Sequence, residues 1–182
     1  MKLVRYFLET IPVCIYLTLT KVIGIDHSSN MGALLMRKIS PLLKSSKYAA
    51  RNIEFALPNL NKTEVKEIIS KMWGNIGRTF FELPYIYKLS DEEFNKRVNI
   101  IGLNKIKQFK QIILITGHFG NWEVVARTML LHVPMPGIIY RKLNNPLLNN
   151  LMVFMRGSRI AQIPKGVASS RRIIKLLADN GS

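Results

Sequence analysis

Cysteine is nearly absent: Cys14 is the only one in 182 residues. That excludes an intrachain disulfide and a cysteine-based zinc site, and it fits a reducing compartment. Histidine is scarce too. His27, His118 and His132 have no metal-ligand spacing and no H-E-x-x-H occurs, so no metal and no cofactor are expected. Acidic residues are few, with 11 Asp and Glu against 27 Lys and Arg, a net charge of +16. Such a balance favours anionic partners: nucleic acid, acidic lipid, phosphorylated ligands or an acidic carrier protein. A merely solubilising basic surface is the plain alternative. There is no internal repeat, no low-complexity tract and no small-residue cleavage site behind the N-terminal apolar stretch, so a secretory signal is not expected.

What is present begins with that stretch. Lys2 and Arg5 precede the uncharged run IPVCIYLTLT, residues 11–20. The wider apolar region, 3–25, is interrupted by Arg5, Glu9 and Lys21. A spanning helix wants about 20 mostly apolar residues, and this one is marginal. It reads as an interfacial helix with basic flanks, with a core helix as the competing reading. The expected organisation is therefore a membrane-associated helix over 1–25 and a catalytic-type domain over 26–182. Hydrophobic content of 48% is ample for a buried core.

Helix starts are well marked. Asn61 with Glu64, and Ser90 with Glu93, have the spacing of capping boxes. Val65, Ile68, Ile69, Met72, Trp73, Ile76 and Phe80 then recur at helical spacing. From Val98 the pattern changes. The β-rich runs 98–101, 112–116, 137–141 and 159–163 alternate with helical stretches near 103–109, 121–131, 146–155 and 168–178. Strand–helix alternation with short links predicts an α/β fold, a parallel-rich sheet with flanking helices behind a helical N-terminal part. Asn180–Gly181 suits a helix stop, and the rhythm then calls for another strand, so the fold reads as incomplete at the C-terminus.

In a parallel sheet, ligands sit beyond the carboxyl ends of the strands. His118 follows the run 112–116, Arg141 closes 137–141 and Lys165 follows 159–163. The stretch LITGHFGNWEVVA, residues 114–126, holds the densest chemistry. Gly117 and Gly120 permit a tight turn, Asn121 is a plausible helix cap, and Glu123 falls in the first helical turn. A carboxylate on one ring nitrogen fixes the tautomer of His118 while the other nitrogen takes a proton. No Ser or Cys stands in the motif as a nucleophile. A substrate hydroxyl, activated by His118, would attack directly, with helix-start N–H groups or Arg141 steadying the oxyanion. The bland alternatives are a backbone-satisfied turn histidine, a Glu placed for the helix dipole and a Trp122 that packs in the core.

HFGNWE resembles the H-x4-D/E motif of glycerolipid-type acyltransferases. With YRKLNNPLLNNLM, RGSRIAQIPK, RNIEFALPNLNKTEV and GNIGRTFFEL, the chain looks like a member of the bacterial lipid A biosynthesis acyltransferases, the lauroyl and myristoyl transferases. The resemblance implies transfer of an acyl chain from acyl carrier protein to a hydroxyl of a lipid A precursor, at the cytoplasmic face of the inner membrane. It implies His118 as general base and Glu123 as its partner. Arg141, Arg156, Arg159 and Lys165 would meet phosphates or the thioester region. Residues 134–182 hold eight Lys and Arg against Asp179 alone, suiting a phosphorylated lipid, an anionic membrane surface and an acidic carrier. Family members continue into a strand bearing an Asp–Gln pair, and this chain stops before it, so an inactive truncated remnant is one alternative. A basic nucleic-acid-binding module is the other. It lacks a binding motif and interleaved aromatics, and nucleic acid is not an expected partner.

Overall fold

The computed structural model describes residues 2–179. The helix stop expected at Asn180–Gly181 lies outside them. The described residues are mostly helical, and they divide into two compact units. One unit comprises Met1–Leu19, Pro84–Gly117 and Trp122–Ser182; the other comprises Thr20–Leu83 and His118–Asn121.

The second unit is built on α2 (Ile25–Ile39), a 3₁₀ turn (Ser40–Leu42), α3 (Lys44–Ala56) and most of α4 (Lys62–Ile86). The expected capping box forms at the start of α4. Asn61 Oδ1 accepts from the Thr63 and Glu64 amides, and Glu64 accepts from the Asn61 amide at 2.7 Å. Of the apolar stripe, Val65 is buried, whereas Phe80 is exposed. Trp73 donates to Ser46 Oγ at 2.8 Å, tying α4 to α3. Helices α2 and α4 meet backbone to backbone at Gly32 and Gly77. A Cβ on Gly32 would lie 2.5 Å from the Gly77 carbonyl oxygen, and one on Gly77 would collide with the Gly32 carbonyl. Gly77→Ala is therefore expected to destabilise the protein by about 1–3 kcal/mol, the usual range for overpacking. A denaturant midpoint unchanged from wild type would contradict this close crossing.

The first unit opens with α1 (Lys2–Ile23). Leu3, Phe7, Ile11, Ile15 and Leu19 recur every four residues and are exposed. Another side of the helix is polar and docked. Asn145 Nδ2 donates to Tyr6 O and Glu9 Oε2 at 3.0 Å each and approaches Thr10 Oγ1 at 3.4 Å. Lys2–Thr20 is long and apolar enough to cross a membrane by length and composition, and only 6% of it is buried. That exposure disagrees with a core helix.

Then come α5 (Asp91–Arg97), α6 (Leu103–Lys107), α7 (Trp122–His132), β1 (Gly137–Tyr140), α8 (Pro146–Arg156), β2 (Ala161–Pro164) and α9 (Ser169–Ala178). Ser90 and Glu93 form the expected capping box of α5. Asn145 caps α8 by accepting from the Leu147 and Leu148 amides. Strands β1 and β2 pair in parallel, Gly137 opposite Ala161 and Tyr140 opposite Pro164. With α8 between them they make one βαβ unit, against which α9 packs. Ile86, Phe94, Ala126, Ile160 and Ile163 are the buried apolar residues of this first unit.

Two expected strands are not seen among the described residues. Residues 98–101 are irregular and turn-like, and 112–116 are irregular throughout. Ile101, Ile113 and Ile115 are all largely exposed. β-branched residues favour strands only where a pleated, half-buried surface receives them; here neither ladder pairing nor burial supplies it. The sheet is thus two strands, smaller than the alternation predicted.

Candidate active site

His118 is exposed and stands in a bend. Two residues on, Gly120 has φ +57°, the left-handed region that only glycine enters without strain. The Gly120 carbonyl accepts from Asn75 Nδ2 at 3.3 Å. Thr79 Oγ1 lies 3.5 Å from the same oxygen while bonding Asn75 O at 3.1 Å, and its one proton serves one acceptor at a time. Asn121, directly before α7, donates from Nδ2 to Glu82 Oε2 at 2.6 Å. Glu82 Oε1 accepts from Ser29 Oγ at 2.5 Å. Arg78 Nη1 reaches Ser29 Oγ at 3.1 Å and Asn30 Oδ1 at 2.8 Å. All of these residues belong to the second unit.

Glu123 belongs to the first unit. It occupies the first turn of α7, as expected, where its charge suits the helix dipole. It is only 3% exposed. Arg156, the last residue of α8, grips it with both nitrogens of a fork: Nε donates to Oε2 at 3.0 Å and Nη2 to Oε1. Tyr87 OH donates to Oε2 at 2.9 Å. The guanidinium also lies over the Tyr140 ring, 5.6 Å from its centroid, and its Nη1 is buried without a hydrogen-bond partner. Burial works against the Arg156 charge, but the Glu123 hydrogen bonds and charge outweigh it and hold the guanidinium more firmly protonated than usual. Burial, then the Glu123 charge, pushes the Tyr87 phenol far above its ordinary 10.0.

The Tyr87 shift has a pH consequence. The neutral phenol is favoured in the folded state, so its contribution is complete below pH about 10. It is lost as pH rises further, because the unfolded phenol ionises and the folded one does not. Alkaline titration by phenolate absorbance should show a late-ionising tyrosine, and Tyr87→Phe should remove that late step and leave the earlier amplitude unchanged. An earlier amplitude reduced by that variant would contradict the assignment.

The remaining basic residues separate. Arg141 follows Tyr140 and Lys165 follows Pro164, which are paired in register, so both stand at the carboxyl end of the sheet, exposed. Arg159 is exposed too but precedes β2, at the opposite end. Arg156 is only 7% exposed and turned to Glu123, so its first task in this structure is an ion pair. Sequence reasoning missed Tyr87, which no motif marks. Glu82 lies in GNIGRTFFEL, a segment that carries the family resemblance without marking which contact the carboxylate makes. The signal was there: Asn75, Thr79 and Glu82 fall on one helical face. Among the described residues no three His, Cys, Asp or Glu gather to hold a metal.

A model of the bacterial lipid A biosynthesis acyltransferase family matches residues 1–178. The chain belongs to that family. A lipid A biosynthesis acyltransferase of Haemophilus influenzae is 31% identical over 103 residues, 56% of this chain and 33% of that protein. A second from the same organism is 29% identical over 115 residues, 59% of this chain and 35% of the relative. The lipid A biosynthesis lauroyltransferase of Escherichia coli is 25% identical over 130 residues, 69% and 41%. The chain thus spans about a third to two-fifths of the relatives it matches. No solved structure matches it significantly.

Proposed function

We propose that this chain carries the histidine centre of an acyltransferase that moves a fatty acyl group from the thioester of acyl carrier protein to a hydroxyl of a lipid A precursor. The observation that carries the reading is the HFGNWE turn. Its His118 is exposed on a glycine-made bend, and its Glu123 is gripped in the first turn of α7 by Arg156 and Tyr87.

In this mechanism His118 takes the proton of the acceptor hydroxyl as the oxygen attacks the thioester carbonyl. The carbon–sulfur bond breaks, and the imidazolium returns its proton to the departing thiolate, so no acyl-enzyme forms. Glu123 orients the ring. The Glu123 carboxylate accepts from Arg156 Nε and Nη2 and from Tyr87 OH. The Arg156 pairing partly neutralises that carboxylate, which makes its role toward His118 mainly one of orientation.

Arg141 and Lys165, at the carboxyl edge of the sheet, are assigned to phosphate or thioester contacts, and Arg159 to a separate basic contact. Arg156 serves through Glu123. The fold is read as part of a glycerolipid-acyltransferase-like architecture. Helix α1 is read as lying on the cytoplasmic face of the inner membrane. Its polar side is docked on Asn145, so a helix inserted upright would have to break that contact, whereas its stripe of exposed apolar residues suits burial in the headgroup boundary.

The test supplies acyl carrier protein charged with a twelve- or fourteen-carbon chain and a tetra-acylated lipid A precursor in anionic vesicles. Mass spectrometry should show the lipid gaining one acyl chain. A free fatty acid as the only product would overturn acceptor assignment, and no turnover of donor would overturn the activity.

A further inference from the structure

We infer that one face of α4 is a clamp that positions the histidine turn, with Glu82 and Asn75 as positioning residues; this rests on the reading of His118 as general base. Asn75, Thr79 and Glu82 stand at i, i+4 and i+7, a polar stripe along one face of α4. Each of the three reaches the turn. Asn75 Nδ2 holds the Gly120 carbonyl, Thr79 reaches the same oxygen, and Glu82 holds Asn121. A glycine in the left-handed region turns its carbonyl out of any helix ladder, so an external donor is needed to keep it satisfied. Glycine is also the residue with the most backbone freedom to lose. The clamp supplies both the donor and the restraint.

The clamp is itself anchored. The second oxygen of Glu82 is taken by Ser29 of α2, Arg78 ties Ser29 and Asn30 to α4, and the Gly32–Gly77 crossing leaves the two helices no room to slide. Bonds to an ionised carboxylate are roughly twice as strong as neutral ones. Glu82 therefore links the packed α2–α4 pair to the residue two positions from Gly120's neighbour Phe119, and so to the backbone that carries His118. A shift of about 1 Å in a reacting group is worth on the order of 10²-fold in rate, which is what such a clamp prevents.

The experiment compares Glu82→Ala, Glu82→Gln and a control, Glu67→Ala, whose exposed carboxylate pairs with Lys71 on the same helix. Gln can offer its oxygen to Asn121 and its amide to Ser29 Oγ, which also accepts. The first readout is amide hydrogen exchange at residues 118–121 with the NMR signals of the His118 ring. Glu82→Ala should speed exchange there by about fivefold or more, the opening expected for one lost hydrogen bond, and should move the ring signals. Glu82→Gln and Glu67→Ala should match wild type. The second readout is acyl transfer: kcat falls about 10²-fold in Glu82→Ala with KM unchanged, and Glu82→Gln restores it. Should Glu82→Ala fail to fold, Asn75→Ala removes the Gly120 contact and gives the same pattern.

Unchanged exchange and ring signals in these variants would overturn the clamp, as would an equal effect from Glu67→Ala. A loss of kcat in Glu82→Gln equal to that in Glu82→Ala would overturn the positioning role in favour of proton transfer. Absence of acyl transfer by the wild-type protein counts against the proposed function alone, because exchange and the ring signals still decide the clamp.

Discussion

Replacing His118 by alanine is expected to lower acyl transfer by about 10²–10⁴-fold, the range for loss of a positioned general base, without changing the unfolding midpoint. The side chain is exposed in a bend, and Gly120 O and Asn121 hold that bend to α4. Removing the imidazole therefore takes away the chemistry and leaves the turn. Asn121→Leu should act in the opposite way, weakening the hold on the turn while the ring remains. The measurement is initial rate against donor concentration for each variant, beside circular dichroism melts. A His118→Ala protein with full activity would remove that residue from the mechanism. One that fails to fold would show that the ring is structural.

The largest expected effect on stability is at Arg156. Arg156→Met leaves the Glu123 carboxylate buried with its ion-pair partner gone, and breaking a buried pair in this way costs about 3–5 kcal/mol. For a chain of this size each kcal/mol lowers the melting temperature by roughly 2–4 °C, so the loss should be plain in a thermal melt. The penalty comes from the orphaned charge more than from the lost attraction. Adding Glu123→Gln to Arg156→Met should therefore recover a good part of the stability, since the neutral amide still accepts from Tyr87 OH. Activity should separate from stability in the same pair of variants: the double variant regains the fold without the carboxylate proposed as the partner of His118. If the single variant were as stable as wild type, the Glu123–Arg156 contact would not be the anchor its burial implies.

Local signals in the sequence foretold local structure well. Asn61 with Glu64 and Ser90 with Glu93 are capping boxes because their chemistry is complete within four residues. The parallel pairing of β1 with β2 around α8 was legible for a similar reason: strand, helix and strand lie within 28 residues of one another, from Gly137 to Pro164. The runs 98–101 and 112–116 carry the same β-formers, yet a strand depends on what lies beside it, which no window of sequence contains. The site divides in the same way. The H-x4-E spacing pointed to His118 and Glu123, and the strand rhythm pointed to Arg141 and Lys165. The family resemblance implies a phosphate or thioester contact for Arg156, and in the fold its buried guanidinium pairs with Glu123. Tyr87 sits 36 positions from Glu123, and only folding brings that phenol to the carboxylate.

The central claim is that a substrate hydroxyl, deprotonated by His118, attacks the acyl thioester directly. Single-turnover rapid quench with intact-mass analysis of both protein and lipid tests it. The account predicts that the acyl mass passes from carrier to lipid with the protein mass unchanged at every time point, and that neither species gains it in His118→Ala. An acylated form of this protein that appears before the lipid product and decays into it would contradict the account.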